Sequence, residues 1–220
     1  MASKNTAGRR KLVLAFLLLF GPAFLLIVIG LQKCEHKFLE LEDYGEAVDY
    51  SFTDAFGKEF TSADFKDNVV LITTLQSTCP DSCAISFWHF DQMLYKIAAK
   101  TDEKGGVHII SFVTDGEGNP VEDLSTVHDM LKDRVQHYNP KIWHLASGDA
   151  KSLFDFDYDG KALLQTGDED FEDLMLLMDH DNHLRMVLHG NTEGMIRRMK
   201  QHVALLQKQY DKKAYDENHE

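Results

Sequence analysis

Residues 68–74 read NVVLITT, an apolar, β-branched run that does not alternate with polar residues. A strand exposed on one face alternates apolar and polar side chains, so an unbroken run implies burial on both faces. Such a strand belongs in the middle of a sheet with cover above and below. Residues 105–115, GGVHIISFVTD, repeat the pattern and end at Asp115. Between the two runs Phe87, Phe90, Leu94 and Ile97 recur at helical spacing, which predicts a helix beginning near Cys83.

The flanking segments supply the remaining elements. Residues 48–65 alternate apolar and polar positions around a DAFGK turn, which suggests a β-hairpin followed by a short helical turn. After the GEGNP turn, residues 121–135 read as an amphipathic helix, residues 141–147 as a third short strand and residues 149–157 as a short helix. Residues 173–190 suggest a hairpin with Asp181-Asn182 as its tight turn. Met195, Ile196, Met199, Val203 and Leu206 mark one face of a closing helix. Strands alternating with helices predict an α/β fold, a central mixed sheet with a parallel core and helices on both sides. A strand, a cysteine-containing loop, a helix and a terminal hairpin plus helix follow the thioredoxin plan, with the cysteines at the carboxyl end of a central strand, where doubly wound sheets place their sites.

The first 31 residues carry a different signal. Residues 12–31 contain no charge and are long enough to span ~30 Å of hydrocarbon as a helix. Gly21 and Pro22 interrupt the run, which membrane helices tolerate. Lys4, Arg9, Arg10 and Lys11 precede it, and the positive-inside rule keeps that end in the cytosol. The expected organisation is a basic cytosolic N-terminus (1–11), a single transmembrane anchor (12–31), a polar tether (32–46), a globular domain (47–208) and a disordered polar tail (209–220). The expected location is the inner (cytoplasmic) membrane, with the domain in a periplasm. A cleaved signal peptide is the alternative, but the apolar run is longer than a signal core and no A-x-A-like site closes it. The formal net charge of −13 argues against nucleic acid as a partner, because phosphate contacts need a basic footprint.

Cys79 and Cys83, in STCPDSC, are the residues that carry chemistry. At i and i+4 two side chains share one face of a helical turn, so the sulfurs can approach each other. A helix N-terminus favours thiolate over thiol, giving a nucleophile or a soft ligand suited to Cu(I). Outside the cytosol such a pair is either a disulfide or under redox control. A structural disulfide, a redox couple and a soft-metal clamp therefore all remain open from the residues alone. Cys34, beside the apolar run, reads as an incidental or intermolecular thiol. Asp81 and Asp115 read as solvated loop or turn residues that can also tune the pair.

The stretch GKEFTSADFKDNVVLITTLQSTCPDSC, residues 57–83, resembles the SCO/SenC family of membrane-anchored, thioredoxin-like copper proteins. The similarity spans roughly residues 48–206, and CPDxC after DFK and a hydrophobic strand is its most specific part. The resemblance implies Cu(I) binding by Cys79 and Cys83, and assistance in assembling the copper centre of cytochrome c oxidase. The implied partner is an oxidase subunit or another copper or thiol protein. It also implies that the same pair can act as a thiol–disulfide reductant, so catalysis by Cys79 and Cys83 is the enzymatic alternative.

Three departures qualify this. Ala84 stands where the family has proline. The family's VDPxRDTP loop is matched only by Asp115 and Pro120. The third copper ligand, a histidine, falls on Phe171. His180, His183 and His189 follow in sequence, but His180 and His183 flank the hairpin turn, some 25 Å from the cysteines at ~3.3 Å per strand residue. His89 reads as a helical surface or packing residue. Asp168, in the segment 165–169, is a poor match for Cu(I). Two thiolates still suffice for Cu(I), which tolerates low coordination, whereas tight Cu(II) binding is expected to weaken. Other readings are a general thiol–disulfide oxidoreductase without copper and a partner-binding module with a static disulfide. No proline lies near Phe171, which argues against ordinary thioredoxin chemistry.

Overall fold

A computed structural model of the chain describes residues 14–22, 24–25, 41–77, 94–99, 106–154, 157–158, 161–162, 174–189 and 192–217. The chain divides into two units, residues 1–39 and 40–220. In the first, residues 14–22 and 24–25 are helical. Among the described residues no helix is long and apolar enough to cross a membrane.

In the second unit the strands are β1 (Ser51–Asp54), β2 (Glu59–Thr61), β3 (Val69–Gln76), β4 (Val107–Thr114), β5 (Trp143–Ser147), β6 (Asp157–Tyr158), β7 (Lys161–Ala162), β8 (Leu174–Met178) and β9 (Leu184–His189). The helices are α1 (Lys96–Ala98), α2 (Ser125–Arg134), α3 (Ala150–Phe154) and α4 (Glu193–Glu217), with a 3-10 turn at Ser62–Phe65. Seven strands form one sheet in the order β2-β1-β5-β4-β3-β8-β9. β3, β4 and β5 run parallel, and the outer strands join them antiparallel. This is the central mixed sheet with a parallel core that the residue pattern predicts, and β1–β2 is the expected hairpin.

The unbroken apolar runs are explained by the two cores. On one face Leu71, Leu75, Ile109 and Val113 meet Tyr95 and Ala98 of the α1 region, Leu131 of α2 and Ile196, Met199 and Val203 of α4. On the other, Ile72, Ile110, Phe112 and Leu176 pack with Phe52, Phe65, Leu153 and Phe154. Every residue of β3 except Gln76 is buried. Each such apolar side chain contributes roughly 1.5–3 kcal/mol, so the two central strands hold much of the stabilisation.

Several boundaries differ from expectation. The tether was expected to reach residue 46, yet Leu41 is buried and residues 44–47 bond to the hairpin β8–β9. The Tyr44 amide donates to Leu184 O (3.0 Å), Leu184 to Gly45 O (2.9 Å) and Ala47 to Asn182 O (2.9 Å). An open edge strand offers unpaired backbone groups, and this strap satisfies some of them. Helix α2 starts at Ser125 rather than 121, where the Asp123 carboxylate accepts the Ser125 amide at 3.0 Å and closes a turn first. Helix α4 runs on to Glu217 instead of ending near 208. Residues 210–217 lack glycine and proline, and Tyr210 stacks on His180 at 3.5 Å, which anchors an additional turn. The small β6–β7 ladder was not anticipated.

Candidate redox and metal site

Two of the central strands end together at one rim of the sheet. Gln76 pairs with Thr114, and the Ser77 amide donates to Thr114 O at 2.8 Å, so the chain leaving β3 is held against β4 for one residue more. Cys79 follows three residues after β3. β8 is antiparallel to β3, with Met175 opposite Thr73, so β8 begins at this same rim. Phe171 precedes β8 by three residues. The topology thus brings the chain leaving toward Cys79 and the chain arriving from Phe171 to one end of the sheet. Cys79, Cys83, Cys34, Phe171, Asp81, Ala84, His89 and Asp168 themselves lie outside the described residues.

Asp115 closes the rim beside β4. Its Oδ1 accepts the amides of Glu117 (2.8 Å) and Asn119 (2.9 Å), and its Oδ2 accepts the Asn119 side-chain amide at 3.0 Å. The Asn119 side chain first, then these backbone amides, hold the carboxyl below its ordinary range. Gly118 supplies the positive φ of 77° that the turn needs. Asp115 is therefore a turn former. Pro120 bridges back to Thr114, so the matched Asp and Pro serve one loop.

Below the rim, polar groups interrupt both apolar faces. On one, Thr73 Oγ1 and Ser111 Oγ lie 2.8 Å apart, and the Trp143 indole N–H donates to Ser111 Oγ at 2.9 Å. On the other, the hydroxyls of Thr74 and Thr114 are buried with no hydrogen-bond partner among the described residues. Neither feature was visible in the sequence, because which hydroxyls meet depends on the β3–β4 register.

The hairpin histidines sit at the other end. Val70, second in β3, pairs with Met178, last in β8, so the connection after Met178 lies at the amino end of β3. The turn is one residue longer than expected. Asn182 N–H donates to Asp179 O, and Asn182 takes φ 60° before Asp179 and His183 pair. His183 Nδ1 donates to Asp43 at 3.0 Å, and Arg185 reaches Asp43 (3.5 Å) and Asp179 (2.6 Å). His180 stacks on Tyr210. These histidines are structural partners, and no group of three or more metal-ligating side chains occurs among the described residues.

Comparison with known proteins agrees with this geometry. Residues 41–208 match the SCO1/SenC family model. No curated protein matches the chain by sequence. The fold resembles that of a SCO1/SenC family lipoprotein from Bacillus anthracis str. Ames, with a TM-score of 0.54 at 14% identity, over 74% of this chain and 95% of that one. BsSco, a Sco-family cytochrome c oxidase assembly protein studied for a disulfide switch, aligns with a TM-score of 0.52 at 15% identity, over 76% of this chain and 98% of that one. Yeast Sco1 with copper bound aligns with a TM-score of 0.50 at 16% identity, over 74% of this chain and 95% of that one. At such identities these structures speak for the fold.

Proposed function

Since this chain belongs to the SCO1/SenC family, we propose that Cys79 and Cys83 bind Cu(I) and exchange thiols for disulfides, assisting copper-centre assembly in cytochrome c oxidase. The observation that carries this reading is the family match over residues 41–208, with CPDSC placed three residues beyond the central strand β3.

Two thiolates spaced at i and i+4 supply the donors of a two-coordinate soft site for Cu(I). The ion is cargo, passed to an incoming donor by stepwise ligand exchange without change of oxidation state. In the redox role, one thiolate attacks a partner disulfide and the second resolves the mixed disulfide. Two electrons pass to the partner, which leaves as a dithiol, and the pair becomes a disulfide. Phe171 at the family's histidine position favours the redox role and Cu(I) over Cu(II). In this proposal residues 12–31 anchor the chain in the cytoplasmic membrane, with the domain in the periplasm.

Titration of the reduced full-length chain in detergent with Cu(I) and with Cu(II) tests the assignment. Tight Cu(I) uptake that disappears in Cys79→Ser and in Cys83→Ser, with little Cu(II) uptake, is the expected result. A reduced pair that takes up no Cu(I) but equilibrates with a redox buffer leaves only the exchange role. A pair inert in both assays ends the proposal.

A further inference from the structure

The turn between β8 and β9 carries two histidines in opposite surroundings, at the end of the sheet away from the cysteines. His183 is over a third exposed and bonds to Asp43 at 3.0 Å. His180 faces α4 instead. Its ring lies 3.5 Å from that of Tyr210, centroid to centroid, with the planes 6° from parallel. Its Nε2 is sealed from water and has no hydrogen-bond partner among the described residues. The Asp67 amide fixes the backbone beneath the ring, donating to His180 O at 3.1 Å.

Tyr210 is held by the same turn. Burial first, and then the Asp179 carboxylate, push its pKa up to about 12, and its hydroxyl bonds to that carboxylate. It is therefore a neutral phenol throughout the neutral range. Tyr210 also packs against the core, but the deeply buried residues of α4 all precede it: Ile196, Met199, Val203 and Leu206. The end of the helix thus depends on the stack in a way that its first three turns do not.

A neutral imidazole can leave Nε2 as a lone pair, whereas an imidazolium carries N–H on both nitrogens. Protonation of His180 would seal an N–H away from water with nothing to accept it, and would place a charge against a buried ring. Asp179 and Asp181 on its own turn, and Asp67 on the neighbouring one, favour the cation, and so does the face of Tyr210. Desolvation outweighs the carboxylates and holds the His180 pKa below 6.5.

We propose that the β8–β9 turn is a pH-sensitive catch for the closing helix, in which neutral His180 holds residues 207–217 and protonated His180 releases them. The sign follows from linkage. A histidine whose pKa is lowered on docking contributes stability above its ordinary value and loses it as pH falls below 6.5. His183, bonded to Asp43, is shifted the other way, so mild acid leaves the strap fastened while it loosens the helix end.

The full-length, isotope-labelled chain in detergent tests this by hydrogen exchange, corrected for intrinsic rates, and by NMR titration of its imidazoles. From about pH 7.5 to about pH 5, protection of residues 207–214 should fall about threefold or more, while that of residues 43–47 should not fall. His180→Phe keeps a ring for Tyr210 to stack on but takes up no proton, so its helix end should be equally protected at both pH values. Equal protection of residues 207–214 in the unaltered chain overturns the proposal, as does a fall that persists in folded His180→Phe. So does a His180 titration midpoint at or above 6.5. If His180→Phe unfolds, that midpoint, read on the unaltered chain, decides.

Discussion

At the scale of single residues, Asp179 shows how much one buried acid can organise. It is 2% exposed, accepts the amides of Asp181 and His183 at 2.9 Å each, and holds the Arg185 guanidinium at 2.6 Å. Replacing it by alanine strands a partly buried guanidinium and two amides. Asp179→Ala is therefore expected to lose ~3 kcal/mol in urea unfolding. A loss under about 1 kcal/mol would mean that water replaces the carboxylate. In sequence Asp179 is one of two acids in MDHDN, and nothing marks it out. Its role appears only when the hairpin closes, since Arg185 comes from the next strand. Cys79 and Cys83 are the opposite case, because their spacing and the strand before them are local properties.

At the scale of elements, the strap at residues 41–47 is the least anticipated feature, being polar and charged like a linker. Its attachment is electrostatic as well as backbone. The hydrogen bond to Asp43 raises the His183 pKa above 6.5, while the Gly45 amide first, with His183 and Arg185, lowers that of Asp43 below 3.8. A raised histidine contributes fully below its unfolded value and loses that contribution as pH rises through its folded value. A lowered aspartate contributes above its unfolded value and loses it as pH falls. Backbone protection of residues 43–47 in hydrogen exchange, corrected for intrinsic rates, should therefore be higher at pH 6 than at pH 9, and His183→Gln should abolish the difference. Both side chains are over a third exposed, so the effect is small and should shrink with salt. Equal protection at both pH values would leave the strap to its backbone bonds alone. Other elements were legible in the sequence because their signals are periodic: Val69–Gln76, Val107–Thr114 and the buried face of the closing helix. The late start of α2 and the long α4 were not, since a side-chain turn at Asp123 and a ring stacked on His180 settle them.

At the scale of the whole molecule, the chain joins a sequence that reads as a membrane anchor to a SCO1/SenC domain. If residues 12–31 anchor it, the full-length protein should stay in the membrane pellet through alkaline carbonate washing. A chain lacking residues 1–31 should move to the supernatant. Release of the full-length protein by carbonate would replace the anchor with a peripheral association.

The amino-acid sequence by itself determined the class of fold, the position of the cysteine pair after a central strand, and the family, because burial of a strand and the spacing of a motif are written in consecutive residues. Only the tertiary structure decided which polar groups meet: Thr73 with Ser111 and Trp143, and Asp43 with His183 and Arg185. Each of these joins residues from different strands or loops. Strand register and chain return bring them together, and those are set by the packing of the whole core.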